Sequence, residues 1–132
     1  MAFQLGTALR NNRISQIQST VGGSAILKIF SGAEPANPAA ADPTGLLVTM
    51  TLPATFLTSS GGVATMAGSW IGTASASGTA LSFRVYDGSA VCHIQGNITA
   101  TGGGGDMTLD ATAITNGQSV TVTSFTITDG NA

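Results

Sequence analysis

Past Gly22-Gly23 the apolar residues of this chain return at every second position, in short runs broken by Gly, Ser, Asn and Pro. A period of two puts successive side chains on opposite faces of a strand, so each run can bury one face only if a second layer covers it. Residues 25–30 begin the pattern. Residues 46–52 continue it, with Leu46, Val48, Met50 and Leu52 alternating against Leu47, Thr49 and Thr51 until Pro53 ends the run. Further strands are predicted at residues 63–66 and 69–72, and at 80–86, where Leu81, Phe83 and Val85 share one face and Ser82, Arg84 and Tyr86 the other. Asp87-Gly88 marks a turn of about two to four residues into a strand over 91–99, so residues 80–99 read as a hairpin.

The last run, residues 119–128, changes phase. Val120 and Val122 fall on one face and Phe125 and Ile127 on the other, and a bulge near Thr123-Ser124 is the economical way to turn all four inward. The predicted core is therefore Leu81, Phe83, Val85, Ile94, Ile98, Val120, Val122, Phe125 and Ile127. Many short strands with this punctuation predict a mainly β fold, a β-sandwich or jelly roll.

Two segments lie outside the pattern. Leu5, Ala8, Leu9, Ile14, Ile17 and Val21 recur at helical spacing, with Thr7 placed to cap the start and Gly22-Gly23 to stop the helix. Residues 1–23 thus form an N-terminal helical segment ahead of a β-sandwich domain at 24–132. The helix either folds onto that domain or serves as a docking arm, with Arg10 and Arg13 one turn apart as its contacts. Residues 32–45 form a long loop in which Pro35, Pro38 and Pro43 block regular pairing, and a loop of this length is expected to be functional or covered by a partner. Arg10, Arg13, Pro35, Pro38 and Pro43 are the candidate interaction residues.

Only 8% of residues are charged, against about 25% in an average soluble domain, and such a surface is poorly defended against association. Assembly, including a homo-oligomer with a trimer among the candidates, is the expectation. Four basic residues, Arg10, Arg13, Lys28 and Arg84, cannot build a phosphate-tracking stripe, so nucleic acid is not an expected partner. No run approaches the roughly 18 apolar residues of a membrane helix, and the first residues do not read as an export signal. A lone cysteine, Cys92, can form no internal disulfide, which suits assembly in a reducing cytoplasm.

Catalytic chemistry finds no foothold. Cys92 and His93 are adjacent in a predicted strand and point to opposite faces, Cys92 inward with Ile94 and Ile98 and His93 outward, so they do not read as a metal pair. Asp106 and Asp110 bracket the short run Met107-Thr108-Leu109 as turn residues. No Gly-x-Ser-x-Gly elbow accompanies His93, and residues 102–105, four glycines, lack the Lys-Ser/Thr ending of a phosphate loop and read as a turn or a close backbone approach. Trp70 and Tyr86 are read by default as core packing, with an interface anchor as the alternative for one of the two. No enzyme activity, metal or cofactor is expected.

Four segments together, Ala8-Leu9-Arg10-Asn11-Asn12-Arg13, Leu27-Lys28-Ile29-Phe30-Ser31-Gly32-Ala33-Glu34-Pro35-Ala36-Asn37, Phe83-Arg84-Val85-Tyr86-Asp87-Gly88 and Ser119-Val120-Thr121-Val122-Thr123-Ser124-Phe125-Thr126-Ile127-Thr128, resemble small virion proteins of tailed bacteriophages and prophages. The resemblance covers nearly the whole chain but rests on strand, turn and helix residues, and no functional residue transfers with it. It implies a structural protein of the virion, assembled in the host bacterial cytoplasm. A capsid decoration or cement protein bound to the major capsid protein is the leading role, and a neck, tail or fibre component, including a receptor- or glycan-binding module, is the alternative.

Overall fold

The computed structural model describes residues 3–129. A helix, α1 (Thr7–Val21), precedes eleven strands: β1 (Ile26–Phe30), β2 (Leu46–Thr51), β3 (Leu57–Ser60), β4 (Val63–Met66), β5 (Ile71–Thr73), β6 (Gly78–Thr79), β7 (Ser82–Tyr86), β8 (Cys92–Ala100), β9 (Met107–Leu109), β10 (Ala113–Ile114) and β11 (Ser119–Thr128). Nine of them form one sheet in the order β2-β1-β7-β8-β9-β11-β4-β3, with β5 also paired to β11, while β6 and β10 pair separately. The fold is mainly β and sandwich-like, as expected, but it is made by curling one mixed sheet over on itself. The curl brings β5 back beside β2, where Val48 and Ala74 form an isolated bridge.

The two limbs of the curl close on a common core. Leu27, Ile29, Val48, Met50, Phe83 and Val85 come from one side, and Ala64, Met107, Leu109, Val120, Val122 and Phe125 from the other. A chain of aromatic contacts runs between them: Phe56 to Trp70, Trp70 to Phe125 and Phe125 to Phe83, with centroids 6.1, 5.7 and 5.4 Å apart. The bulge expected near Thr123-Ser124 is present, because the β11–β9 register slips between Val122 and Ser124, and Val120, Val122 and Phe125 are all buried. Ile94 and Ile127 are half-buried against the same core.

Leu81 is the exception among the predicted core residues, at 48% exposed. The strand begins one residue later, at Ser82, and Leu81 sits at its entry with its N–H donating to the Phe30 carbonyl, so strand phase does not govern its side chain. Trp70 is buried as expected, but it precedes β5, which runs over Ile71–Thr73 and not 69–72.

The parallel pairing of β8 with β9 is the least ordinary step. Parallel neighbours usually need a crossover of about a dozen residues or more. Here residues 101–106 suffice, because the glycine run folds flat on β8: a Cβ on Gly103 would lie 2.7 Å from Thr99 Cβ and Oγ1, and one on Gly105 2.9 Å from Thr99 N. The Gly105 N–H donates to Thr99 Oγ1 at 3.0 Å, and Asn97 and Asp106 exchange backbone-to-side-chain bonds of 2.8 and 3.1 Å. The run is thus a close approach to the chain's own strand, and Asp106 is occupied as a turn residue.

Helix α1 lies on its own body. Ile14 and Val21 are buried in the common core and Ile17 packs against it, so α1 and the β body share one interior. Gly22 ends the helix at φ 83°, as expected; its N-cap is Gly6, without a side-chain cap, and Thr7 is the first helical residue. Ala8 and Leu9, expected on the packed face, are exposed. Polar contacts seat that half of the helix instead, with Arg10 and Asn11 reaching the β3–β4 turn. Farther along, Gln18 acts as a strand mimic: its Oε1 accepts from the Phe56 and Leu57 N–H groups and its Nε2 donates to the Ala54 carbonyl. That arrangement shields the start of an otherwise open sheet edge.

Candidate functional site

The outer face of the β2-β1-β7-β8 limb carries an unusual polar row. Register places Thr49, Lys28, Arg84 and Gln95 side by side, and the next row holds Thr51, Ile26, Tyr86 and Cys92. Such a face would ordinarily meet water. Residues 32–45 cover its β7–β8 part instead, while Thr49 and Thr51 of β2 stay exposed, and every residue of β7 is buried, the core lying on one side and the loop on the other.

Arg84 is the fastener. Its guanidinium, 2% exposed, donates to the Asn37 and Ala40 carbonyls at 3.0 Å each, to Asp42 Oδ1 at 2.8 Å and to Gln95 Oε1 at 3.0 Å, while Nε is buried without a partner. Gln95 in turn donates to the Pro35 carbonyl at 2.7 Å, Tyr86 donates its hydroxyl to Asp42 Oδ1, and Ser82 donates to the Gly32 carbonyl. A planar five-donor head suits this job because it can satisfy several loop carbonyls at once. Burial pushes the Asp42 carboxyl up, but the Tyr86 and Arg84 hydrogen bonds, with the charges of Arg84 and Lys28, outweigh it and hold the group below its usual range. Burial and the Asp42 bond and charge push the Tyr86 phenol well above its ordinary value.

Beside the loop lies an open groove of about 840 Å³, bordered by Lys28, Pro38, Asp42, Tyr86, Val91 and Cys92 among others. The Lys28 ammonium stands 4.9 Å from the centre of the Tyr86 ring, a cation–π contact. Cys92 faces this groove and not the core. The β7–β8 register slips between Val85 and Tyr86, pairing Val85 with Ile94 but Tyr86 with Cys92, so the residue skipped at His93 reverses the face of Cys92. Burial raises its thiol against the opposing charge of Arg84. The hairpin loop runs from Asp87 to Val91, longer than expected, and Asp87 Oδ1 accepts the Ser89 and Val91 N–H groups inside it.

The candidate interaction residues are thereby accounted for. Arg10 donates to the Gly61 and Asp129 carbonyls, and Arg13 pairs with Asp129 at 3.4 Å, so both cations are engaged within the chain. Arg13 keeps a side chain 54% exposed, whereas Arg10 is half-buried. Pro38 is exposed at the groove, while Pro35 and Pro43 are half-buried. The two sets do not converge on one site. Arg84, Tyr86 and Gln95 were missed as a group; their signal was three large polar residues in strands that alternate cleanly, and it becomes visible only once β7 and β8 are put in register.

His93 and Asp87 form the one acid–imidazole contact described, Nε2 to Oδ2 at 2.9 Å. The hydrogen bonds from His93 and from the Val91 and Ser89 N–H groups hold the Asp87 carboxyl below its usual range. Among the described residues no group of three or more His, Cys, Asp or Glu side chains could hold a metal ion, and no helix is long and apolar enough to cross a membrane. Comparison with family models, with curated proteins and with solved structures finds no match to the chain.

Proposed function

We propose that this chain is a non-enzymatic structural component of a tailed-phage virion, a decoration or cement protein that binds the assembled shell. One observation carries the reading. With the helix and the long loop both fastened to their own body, the sheet surface open to contact is charge-poor, and on the β3-β4-β11 limb Thr58, Thr65 and Thr126 stand in register as an exposed row of hydroxyls. Uncharged hydroxyl faces cost less to desolvate than charged ones and can exchange water bonds for bonds to a neighbour. The resemblance of the four sequence segments to small phage virion proteins supplies the setting.

A cement protein stabilises a shell by binding the assembled lattice and not the free subunit, so mass action alone drives the stabilisation. The major capsid protein is then the principal partner. The alternative, a neck, tail or fibre part, differs in copy number. Counting copies by quantitative mass spectrometry of virions from a phage encoding the chain tests the choice. A copy for every few capsid subunits supports decoration, and on the order of a dozen copies or fewer moves the assignment to the neck or tail.

A further inference from the structure

The charged groups of the described residues are matched within the chain, with two exceptions. Arg13 pairs with Asp129, Arg84 with Asp42 and His93 with Asp87, while Arg10 is engaged by backbone carbonyls. Asp106 and Asp110 accept backbone N–H groups. Lys28 makes no hydrogen bond or ion pair among the described residues, its ammonium lying over the Tyr86 ring and within the field of Asp42, and Glu34, exposed in the segment Ala33-Glu34-Pro35-Ala36, makes none either. Both belong to the loop-covered face: Lys28 lines the groove, and Glu34 adjoins Pro35, which Gln95 fastens to the same row of the sheet two strands away.

From this geometry we infer that the groove receives a second copy of the chain, Glu34 of each protomer entering the groove of the other and pairing with Lys28. Donor and acceptor share one face, so a twofold axis between them makes both contacts at once, the self-complementary arrangement of an isologous dimer. The groove wall suits the neighbours of Glu34, because Pro38, Ala39, Ala41 and Val91 are small or apolar and exposed, like Ala33 and Ala36. Asp42 also lies at the groove, but its Oδ1 is taken by Arg84 and Tyr86, and the two cations leave the site with a net positive charge that favours an incoming carboxylate. The inference goes beyond the virion reading and stands or falls apart from it, since it is read on the purified chain with no particle present.

Sedimentation equilibrium of the wild type, Lys28→Glu, Glu34→Lys and an equal mixture of the two variants tests it. The wild type should dimerise, more weakly as salt is raised. Each single variant should dissociate at least roughly tenfold more readily, because like charges then face each other. The mixture should recover dimer, since the heterodimer keeps one native Lys28–Glu34 contact and makes the other with its two charges exchanged. A monomeric wild type, single variants that associate as the wild type does, or a mixture of folded variants that stays monomeric would each overturn the inference. Should Lys28→Glu prove unfolded by circular dichroism, Glu34→Lys, on an exposed loop, decides alone: undiminished dimer formation overturns the pairing and its loss upholds it.

Discussion

Replacing Arg84 with Met tests whether one buried guanidinium holds residues 32–45 on the sheet. The variant keeps most of the aliphatic bulk and removes four donations, to the Asn37 and Ala40 carbonyls, Asp42 Oδ1 and Gln95 Oε1. Breaking a fully buried ion pair by deleting one partner costs about 3–5 kcal/mol. The Asp42 side chain is 43% exposed, so water can take over part of what it loses, and the expected cost falls to about 2–3 kcal/mol. Urea unfolding followed by the fluorescence of Trp70, which is fully buried, reads that loss, and limited proteolysis should show cleavage within 32–45 in the variant before any in the body. The pH dependence has a definite sign. A carboxyl held below its ordinary value of 3.8 contributes stability above that value and loses it as pH falls through the lower native value, so the wild type should weaken more than Arg84→Met on acidification below pH 3.8. A loss below about 1 kcal/mol with the loop still protected would show that Arg84 is not the fastener.

Three further outcomes follow from the same structure. Tyr86, the single tyrosine, should show no phenolate by ultraviolet absorbance at pH 10.0 in the folded protein; its raised value means stability held below 10.0 and lost as pH climbs beyond it, and half-ionisation at 10.0 would contradict the Asp42 contact. Gly103→Val should cost about 1–3 kcal/mol in thermal or urea unfolding, because its side chain must enter space held by Thr99 and the Ala100 carbonyl, and a neutral result would mean that the crossover can move aside. Deleting residues 1–22 should abolish cooperative melting by circular dichroism, since Ile14, Val21 and the Gln18 contacts leave with the helix; a folded remainder would make the helix a separable arm after all.

What the sequence disclosed and what it hid divide along a physical line. Patterns set by nearest neighbours were legible: the hairpin of β7 and β8, the slip at Thr123-Ser124, the glycine stop of α1 and the inward phase of Phe83 and Val85. Pairing over long separations was not. The loop looked available to a partner because nothing local showed Arg84 reaching across to Asn37, Ala40 and Asp42, and Arg10 looked like a docking contact because its acceptors, Gly61 and Asp129, lie far along the chain. Period-two reasoning puts Cys92 inward because it has no way to see a skipped residue such as His93 without the partner strand. At Arg84, Arg10 and Cys92 the meaning of a polar side chain or of a register slip depends on a distant segment.

The virion assignment is tested most directly by an electron-microscopy map of particles from a phage that encodes the chain, with the curled sheet and helix fitted to density. Copies should repeat over the shell lattice, in contact with the major capsid protein. Density confined to the neck, tail or fibres would contradict the decoration role, and particles that lack the chain altogether would contradict the virion assignment itself.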